Sequence, residues 1–245
     1  MLIIYQIEYS IGIILEEKFM LQTQNIFGFD FKKPFEYENG FYLTSASSRI
    51  AKSIAHFELY KKIVNLPGEI IECGVFKGTS LIRFATYREI LESQFSRKII
   101  GFDAFGKFPN DVSMETDKKF IINFETDAGY GIPKDDLENI LEYKNFQNII
   151  LLKGFIPDVF SGYFENRPAT QIALLHIDVD VYEATKACLE HLYERVVKGG
   201  IIVFDDYGQV DGATKAINEF LKTKGLEGSI QKLSYNYIPA YMVKE

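Results

Sequence analysis

Four aspartates that follow two apolar runs are the residues best suited to chemistry in this 245-residue sequence. Asp178 and Asp180 belong to the stretch HIDVD, and Asp205 and Asp206 belong to the stretch FDDY. Carboxylates this dense at a buried sheet edge are unfavourable unless a cation or protonation offsets their charge. Three carboxylates together with water suit Mg²⁺, so we expect a divalent metal site here. The alternative, in which Asp180 caps the following helix and Asp206 is a loop acid, explains two of the four.

A glycine-containing turn follows an earlier apolar run, in the stretch ECGVFKGTS. Gly74 and Gly78 allow the backbone to turn tightly and to approach a ligand closely. Thr79 and Ser80 are able to cap the helix that comes next. The pattern is neither the dinucleotide-binding fingerprint nor a P-loop, and by itself it is equally typical of an ordinary strand–helix turn.

Asp103 follows the next apolar run along the chain. An acid at the end of the second strand of such a sheet is where a nucleoside presents its ribose, and a carboxylate can accept hydrogen bonds from both hydroxyls. The alternative is an aspartate that only forms a turn. Together with the glycine turn, Asp103 favours a nucleoside cofactor.

Five short apolar runs, each followed by turn residues and a helical pattern, supply the framework for these residues. Continuous hydrophobicity is typical of strands buried on both faces, and the alternation predicts a parallel sheet with helices on both sides. The residues from Ser229 to Glu245 predict an antiparallel strand pair with its turn at Pro239, which completes a doubly wound, mostly parallel α/β sheet of seven strands. The five predicted strands are Glu69–Cys73, Lys98–Phe102, Asn148–Leu152, Ile172–Ile177 and Gly200–Phe204.

The helical patterns between the strands are less sharply bounded. The first helix is expected to bury one face that carries Ile50, Ile54, Phe57 and Val64. The segment Pro109–Pro133 stays unassigned, and a loop of this length is usually functional. Because ligands bind beyond the carboxyl ends of parallel strands, we expect the glycine turn and the acids to face one cleft. The remaining predicted helices are Ser80–Leu91, Asp135–Tyr143, Val181–Val197 and Ala213–Leu221.

Composition restricts the partners and the compartment. The formal net charge of −7 argues against a nucleic-acid partner and for a small or neutral substrate. Cys73 and Cys188 are interpreted as buried apolar residues of a cytoplasmic protein, because no pairing framework surrounds them. Of the histidines, His176 is expected in the core, whereas His56 and His191 are expected to face solvent.

The apolar N-terminus, MLIIYQIEYSIGIIL, has neither the basic region of a signal peptide nor the length of a membrane span. Its helical spacing predicts that residues 1–19 form an amphipathic helix packed on the body or on a second subunit. We therefore expect no membrane span and a homodimer or higher homo-oligomer.

Four motifs, ECGVFKGTS, GFDAFGKFP, HIDVDVYEAT and GGIIVFDDYG, resemble the macrocin O-methyltransferase family over about Thr44 to Leu221. Members of that family depend on S-adenosylmethionine and Mg²⁺ and act on deoxysugar hydroxyls of antibiotics and related glycans. The resemblance implies a Rossmann-like class I methyltransferase fold over residues 46–245, preceded by a helical or lid segment at residues 1–45. It also implies a sugar or glycoside as substrate.

The resemblance further implies roles for individual residues. Asp178, Asp205 and Asp206 match the metal ligands, and Asp180 matches the proposed general base. Asp178 and Asp180 would point the same way if the chain between them is extended. Two departures are Val179, where the family usually has Gly, and the lack of a histidine after His191. The residues matching the cofactor site are Thr44, Ser45, Glu72, Gly74, Phe76, Gly78, Thr79, Ser80, Asp103, Ala104, Phe105 and Asp178.

Other functions remain open at this point. The stretch Asp178-Val179-Asp180 also resembles the metal motif of a nucleotide-sugar glycosyltransferase, which would leave the glycine turn and Asp103 unexplained. A non-catalytic small-molecule binding protein on the same fold is a second alternative, and the complete motifs argue against it. A catechol methyltransferase would share the metal site, but the GFDAFGKFP stretch favours sugars.

Overall fold

A computed structural model describes residues 25–109 and 112–245, and it places a mixed sheet at the centre of them. The parallel strands are β3 (Glu69–Cys73), β4 (Ile99–Asp103), β5 (Ile149–Lys153), β6 (Ile172–Ile177) and β7 (Val196–Phe204). Two strands are antiparallel, β8 (Gln231–Leu233) and β9 (Asn236–Val243). The seven strands follow the order β5-β4-β3-β6-β7-β9-β8, which confirms the predicted doubly wound sheet with its antiparallel C-terminal pair.

Helices cover both faces of this sheet. Neighbouring strand residues point to opposite sides, so Ile70 and Ile71 of β3 belong to two separate buried clusters. One cluster includes Leu59 and Phe84, and the other includes Leu189. The helices are α1 (Pro34–Thr44), α2 (Ser47–Lys61), α3 (Thr79–Leu91), α4 (Glu115–Ala128), α5 (Lys134–Tyr143), α6 (Asp158–Phe164), α7 (Tyr182–Leu192) and α8 (Asp211–Lys224), and a short hairpin of β1 (Asn25–Ile26) and β2 (Phe29–Asp30) precedes them.

The sheet register brings the ends of the central strands together. Cys73 of β3 lies opposite Phe102 of β4 and Ile177 of β6, and Ile177 lies opposite Phe204 of β7. The residue after each of these strand positions therefore reaches the same edge of the sheet. That edge carries the glycine turn and the predicted acids.

The face of α2 that packs against the sheet differs from the prediction. Its buried residues are Ala55, His56, Leu59 and Tyr60, whereas Ile54 is 48% exposed. His56 is fully buried because its ring packs against those of Phe84 and His176, so the prediction that it faces solvent was wrong. His191 is exposed and His176 is buried, as predicted.

Three boundaries also needed correction. The predicted helix Val181–Val197 ends at Leu192, because Val196 and Val197 already extend the apolar run of β7. The segment Pro109–Pro133 contains α4 rather than a loop alone. Pro239 lies inside β9, and the pairing of β9 with β7 begins at Ala240, so the missing N–H of proline removes no bond of that ladder.

The remaining predictions concern cysteine and the membrane. Cys73 and Cys188 are free and buried, as expected. No helix in the described ranges is long and apolar enough to cross a bilayer. The predicted helix at residues 1–19 lies outside the described residues.

Candidate functional site

A cleft of about 660 Å³ opens beyond the carboxyl ends of the central strands. Residues that follow β3, β4, β6 and β7 form its floor, so the glycine turn and the acids face one space, as the topology predicted. Its size suits a ligand with the dimensions of a nucleoside together with a second small molecule.

Gly74 allows two strand ends to approach closely. Its φ is +87°, and a Cβ at this position would lie 1.7 Å from the carbonyl oxygen of Asp178. The Gly74 amide donates to the Phe102 carbonyl at 2.9 Å, and the Asp178 amide donates to the Cys73 carbonyl at 2.9 Å. The turn after β3 and the first acid after β6 are therefore fixed to each other.

Gly78 ends the same turn and precedes α3. It adopts a left-handed conformation with φ +80°, and a Cβ there would lie 2.7 Å from the Leu137 side chain. Because Gly78 takes the cap position, Thr79 and Ser80 lie in the first turn of the helix and line the cleft. The prediction that Thr79 or Ser80 caps this helix was wrong.

Asp103 uses its carboxylate mainly to order the turn. Its Oδ2 accepts the amides of Val75 at 2.7 Å and Phe76 at 3.0 Å, and its Oδ1 accepts the Phe105 amide at 2.5 Å. A carboxylate has about four acceptor positions, and three are filled. Asp103 thus has room for one further hydrogen bond from a ligand in the cleft, rather than the two expected.

The acidic cluster consists of Asp178, Asp205 and Asp206, whose carboxylates each place an oxygen within 4.8 Å of the others. Burial, followed by the charges of the neighbouring carboxylates, raises the pKa of Asp178 well above its usual range. The same causes raise the pKa of Asp206, with Asp180 as its strongest neighbour. Burial also opposes the charge on Asp205, yet the nearby rings of His176 and His56 and the charge of Lys52 hold its pKa well below the usual range.

A buried histidine, His176, lies between Glu72 and Asp205 of the acidic cluster. His176 Nδ1 lies 3.1 Å from Oε1 of Glu72, and its Nε2 lies 3.6 Å from Oδ1 of Asp205. Burial lowers the pKa of His176, but these two carboxylates outweigh it and raise the pKa to about 10. His56 Nε2 lies 3.8 Å from the same Asp205 oxygen, and burial lowers the pKa of His56 to about 4.

The acidic cluster fits a divalent cation. Oδ1 of Asp205 is buried and accepts no hydrogen bond from the described residues. The donors are three carboxylates, which form the oxygen-rich set that Mg²⁺ prefers. The pKa values of Asp178 and Asp206 are raised and that of Asp205 is lowered. A cation bound to them would offset the charge that the sequence predicted to be uncompensated.

Asp180 occupies a strained turn. Its φ is +61°, its amide donates to Oδ2 of Asp206 at 3.0 Å, and the Val181 amide donates to the Val179 carbonyl at 2.6 Å. The chain from Asp178 to Asp180 is therefore not extended, and that part of the prediction was wrong. Asp180 still lines the cleft, and burial followed by the charge of Asp178 raises its pKa well above the usual range.

The helix after Asp180 is capped by a different acid. Val181 precedes α7 without a side-chain cap, and Oδ2 of Asp117, from α4, accepts the Tyr182 amide at 2.8 Å. The alternative in which Asp180 is the N-cap is thereby excluded. Asp117 also packs closely against α8, because its Oδ2 lies 2.1 Å from the position that a Cβ on Gly212 would take.

Aromatic rings from α4 and nearby loops form one wall of the cleft. Phe124 of α4 packs against Phe76 with ring centroids 5.1 Å apart and against Phe108 at 5.8 Å. Tyr130 and Phe155 also line the cleft. The long segment was singled out in the sequence, but its helix and its rings were not assigned to the site.

The structure separates the predicted site residues into two groups. Those that line the cleft are Gly74, Phe76, Thr79, Ser80, Asp103, Ala104, Asp178, Asp180, Asp205 and Asp206. Those that lie outside it, as the described part of the chain forms it, are Thr44, Ser45, Glu72, Gly78 and Phe105. Glu72 binds His176 instead, Phe105 packs in the core, and Thr44 is exposed at the end of α1. The basic residues Arg49, Lys52 and Arg83 also face the cleft. Lys52 and Arg83 lie outside the sequence motifs that predicted the site.

Known proteins resemble this chain in sequence. The profile of the family described as Macrocin-O-methyltransferase (TylF) matches residues 53–239. The 8-demethyl-8-(2,3-dimethoxy-alpha-L-rhamnosyl)-tetracenomycin-C 4'-O-methyltransferase of Streptomyces olivaceus is 26% identical over 175 residues, which cover 69% of this chain and 63% of that protein. Mycinamicin III 3''-O-methyltransferase of Micromonospora griseorubida is 29% identical over 175 residues, which cover 69% of this chain and 66% of that protein. The matches therefore span less than two thirds of either relative's length.

A solved structure resembles the fold. The crystal structure of CalS11, a calicheamicin methyltransferase, superposes with a TM-score of 0.69 at 26% identity and covers 86% of both chains. The parallel core with antiparallel C-terminal strands is thus the class I methyltransferase fold.

Proposed function

The chain belongs to the Macrocin-O-methyltransferase (TylF) family, and from that membership we propose that it transfers a methyl group from S-adenosylmethionine to a hydroxyl of a sugar. One observation carries the proposal: the glycine turn with Asp103 and the acidic cluster of Asp178, Asp205 and Asp206 lie in one cleft. Methyl transfer requires the donor and the acceptor to be held in line. The glycine turn is suited to hold the donor, and the acidic cluster is suited to hold the acceptor.

Residues of the turn after β3 would hold the cofactor. Its backbone is fixed in place by Asp103, and Gly74, Val75 and Phe76 of this turn line the cleft. Thr79 and Ser80 add hydroxyls at the start of α3. When bound, S-adenosylmethionine supplies an electrophilic methyl group, and Mg²⁺ lowers the pKa of the acceptor hydroxyl.

Asp180 is the residue we assign as general base. It borders the acidic cluster and faces the cleft, and its raised pKa makes the ionised carboxylate a stronger proton acceptor than an ordinary aspartate. The backbone bond to Asp206 holds it beside the metal carboxylates. Asp178, Asp205 and Asp206 would hold the ion.

A sugar is the acceptor that the relatives support. The tetracenomycin relative is named for a rhamnosyl group, and a further structure of CalS11, at 27% identity, is described as a TDP-rhamnose 3'-O-methyltransferase. In this chain, the aromatic wall of Phe108, Phe124 and Tyr130 would offer flat apolar surface to the ring face of a sugar.

We also propose a cytoplasmic location, because Cys73 and Cys188 are free and buried.

The test is methyl transfer from ¹³C-methyl S-adenosylmethionine to a panel of nucleotide sugars and glycosides, read by NMR of the products. We expect a labelled O-methyl sugar that forms with Mg²⁺ and not with a chelator. Asp178→Asn should lose both Mg²⁺ binding and transfer, whereas Asp135→Asn, an exposed acid on α5, should retain both. Binding of S-adenosylhomocysteine without transfer to any sugar hydroxyl would overturn the choice of acceptor.

A further inference from the structure

Lys52 brings a positive charge of the protein itself into the acidic cluster. It lies on α2, and its Nζ donates to Oδ2 of Asp205 across 153 residues of sequence separation. Asp178 and Asp206 also attract this ammonium. The side chain of Lys52 is 21% exposed and that of Asp205 is 8% exposed, so the pair is largely withdrawn from water.

Two basic side chains, His176 and Lys52, contact the cluster, and they differ in mobility. His176 is held between Glu72 and Asp205, both its side chain and that of Glu72 are fully buried, and it sits on a central strand. Lys52 is attached through a flexible four-carbon stem and borders the cleft of about 660 Å³. Of these two, Lys52 is the side chain that has space to move.

A divalent ion and this ammonium would repel each other if both were bound to Asp205. Like charges a few ångströms apart in a buried space repel strongly, and Oδ2 of Asp205 is already taken by the lysine. Without any cation, the buried carboxylates would in turn be left uncompensated. The arrangement therefore favours one cation at a time beside Asp205 on the side of the cleft.

We propose that the Lys52 ammonium is the resident counterion of the acidic cluster, occupying the cation position in the metal-free protein and moving into the cleft when a divalent ion binds. This inference rests on the metal role given to the cluster under the proposed function. Lys52 is then a positioning residue that sets metal affinity: it holds the Asp205 carboxylate in place, and its displacement opposes binding of the ion.

The first experiment measures Mn²⁺ affinity of the full chain by electron paramagnetic resonance. Because the two cations compete, Lys52→Gln should bind Mn²⁺ more tightly, by on the order of tenfold, a typical coupling between linked sites. Lys52→Arg keeps the charge and should not bind more tightly than the unmodified chain. Lys61→Gln is the matched control, since Lys61 lies on the same helix, is 48% exposed and pairs with Glu58. Equal or weaker Mn²⁺ binding by Lys52→Gln would overturn the inference.

The second experiment needs no variant, so it stands even if Lys52→Gln folds poorly. Amines of the unmodified chain are acetylated with and without Mg²⁺, and the rate at each lysine is read by peptide mass spectrometry. We expect Lys52 to react slowly in the metal-free protein and several-fold faster with Mg²⁺, while Lys61 reacts at one rate throughout. A Lys52 rate that does not change on adding Mg²⁺ would refute its displacement.

These readouts separate the inference from the proposed function. Tight Mn²⁺ binding and faster labelling of Lys52, without transfer to any sugar, would contradict the sugar acceptor and support the lysine exchange. Failure of the unmodified chain and of all three variants to bind Mn²⁺ would contradict both the metal assignment and the exchange.

Discussion

At the scale of single residues, the site is a buried arrangement of opposite charges. Three carboxylates converge within 4.8 Å, Lys52 supplies a positive charge, and the His176 ring lies beside Asp205. Asp205, which touches both, has a lowered pKa, whereas burial and repulsion raise the pKa values of Asp178 and Asp206. The ionisation of Asp205 therefore differs from that of Asp178 and Asp206, although all three are aspartates.

Asp103 provides a prediction at this scale. Asp103→Ala removes an acceptor of three backbone amides, so the glycine turn should loosen and the affinity for S-adenosylhomocysteine should fall by about 1.5–3 kcal/mol. Calorimetry measures the affinity and thermal unfolding measures the loss of stability, with Asp135→Asn as control. Unchanged affinity in Asp103→Ala would remove this residue from the cofactor site.

The raised pKa values of Asp178 and Asp206 predict a pH dependence of metal binding. A carboxyl whose pKa is higher in the folded than in the unfolded state stabilises the fold while protonated, and this contribution is lost as pH rises through the folded pKa. Mg²⁺ binds the ionised form, so the rise in Tm that it causes should grow from about pH 5 to about pH 8. Differential scanning fluorimetry with and without Mg²⁺ measures this difference. An equal rise in Tm at both pH values would contradict the assignment.

At the scale of elements, the site depends on how closely the ends of parallel strands approach. The Asp178 amide, one residue beyond β6, donates to the carbonyl of Cys73 at the end of β3, and Gly74 is where that approach leaves no room for a side chain. The helices then cover the edge: α2 contributes Lys52 and His56, and α4 contributes Phe124 of the aromatic wall. Asp117 of α4 accepts the Tyr182 amide at the start of α7.

Gly74→Ala tests this dependence. The new Cβ would overlap the Asp178 carbonyl and the backbone would remain at positive φ, so we expect a loss of more than ~2 kcal/mol in the free energy of unfolding. Gly106→Ala is the matched control, because Gly106 also lines the cleft and its Cβ would meet no atom of the described residues within 4 Å. Chemical denaturation compares the two. Similar stability losses in both variants would show that the approach at Gly74 is not the constraint.

At the scale of the whole molecule, local patterns predicted the sheet and the position of the acids, because continuous apolar runs and turn residues are visible in short stretches. The convergence of Asp178 with Asp205 followed from parallel topology alone. The positions of Lys52 and His56 in the site were not predicted, because their partner, Asp205, is more than 140 residues away and no periodicity links them. The turn at Asp180 was also missed, since its left-handed backbone depends on a bond to Asp206 that only the fold brings close.

Association of subunits remains a prediction at this scale. Phe35 and Leu43 of α1 are 77% and 85% exposed, and exposed apolar surface of this kind marks contacts with other molecules. We expect the full chain to be a homodimer or larger, and deletion of residues 1–19 to change that state. Light scattering after size-exclusion chromatography gives both masses. A monomeric full chain with an unaffected truncation would contradict this.

The central claim, proton removal by Asp180 beside a metal held by Asp178, Asp205 and Asp206, is tested most directly by single-turnover methyl transfer in Asp180→Asn. Asparagine tolerates the left-handed backbone at this position and keeps the shape of the side chain, so only basicity is lost. We expect a rate lower by ~10²–10⁴-fold, with Mg²⁺ and S-adenosylhomocysteine affinities and Tm nearly unchanged. A rate within about twofold of the unmodified chain would contradict the assignment of Asp180 as base, and lost Mg²⁺ affinity would make it a metal ligand instead.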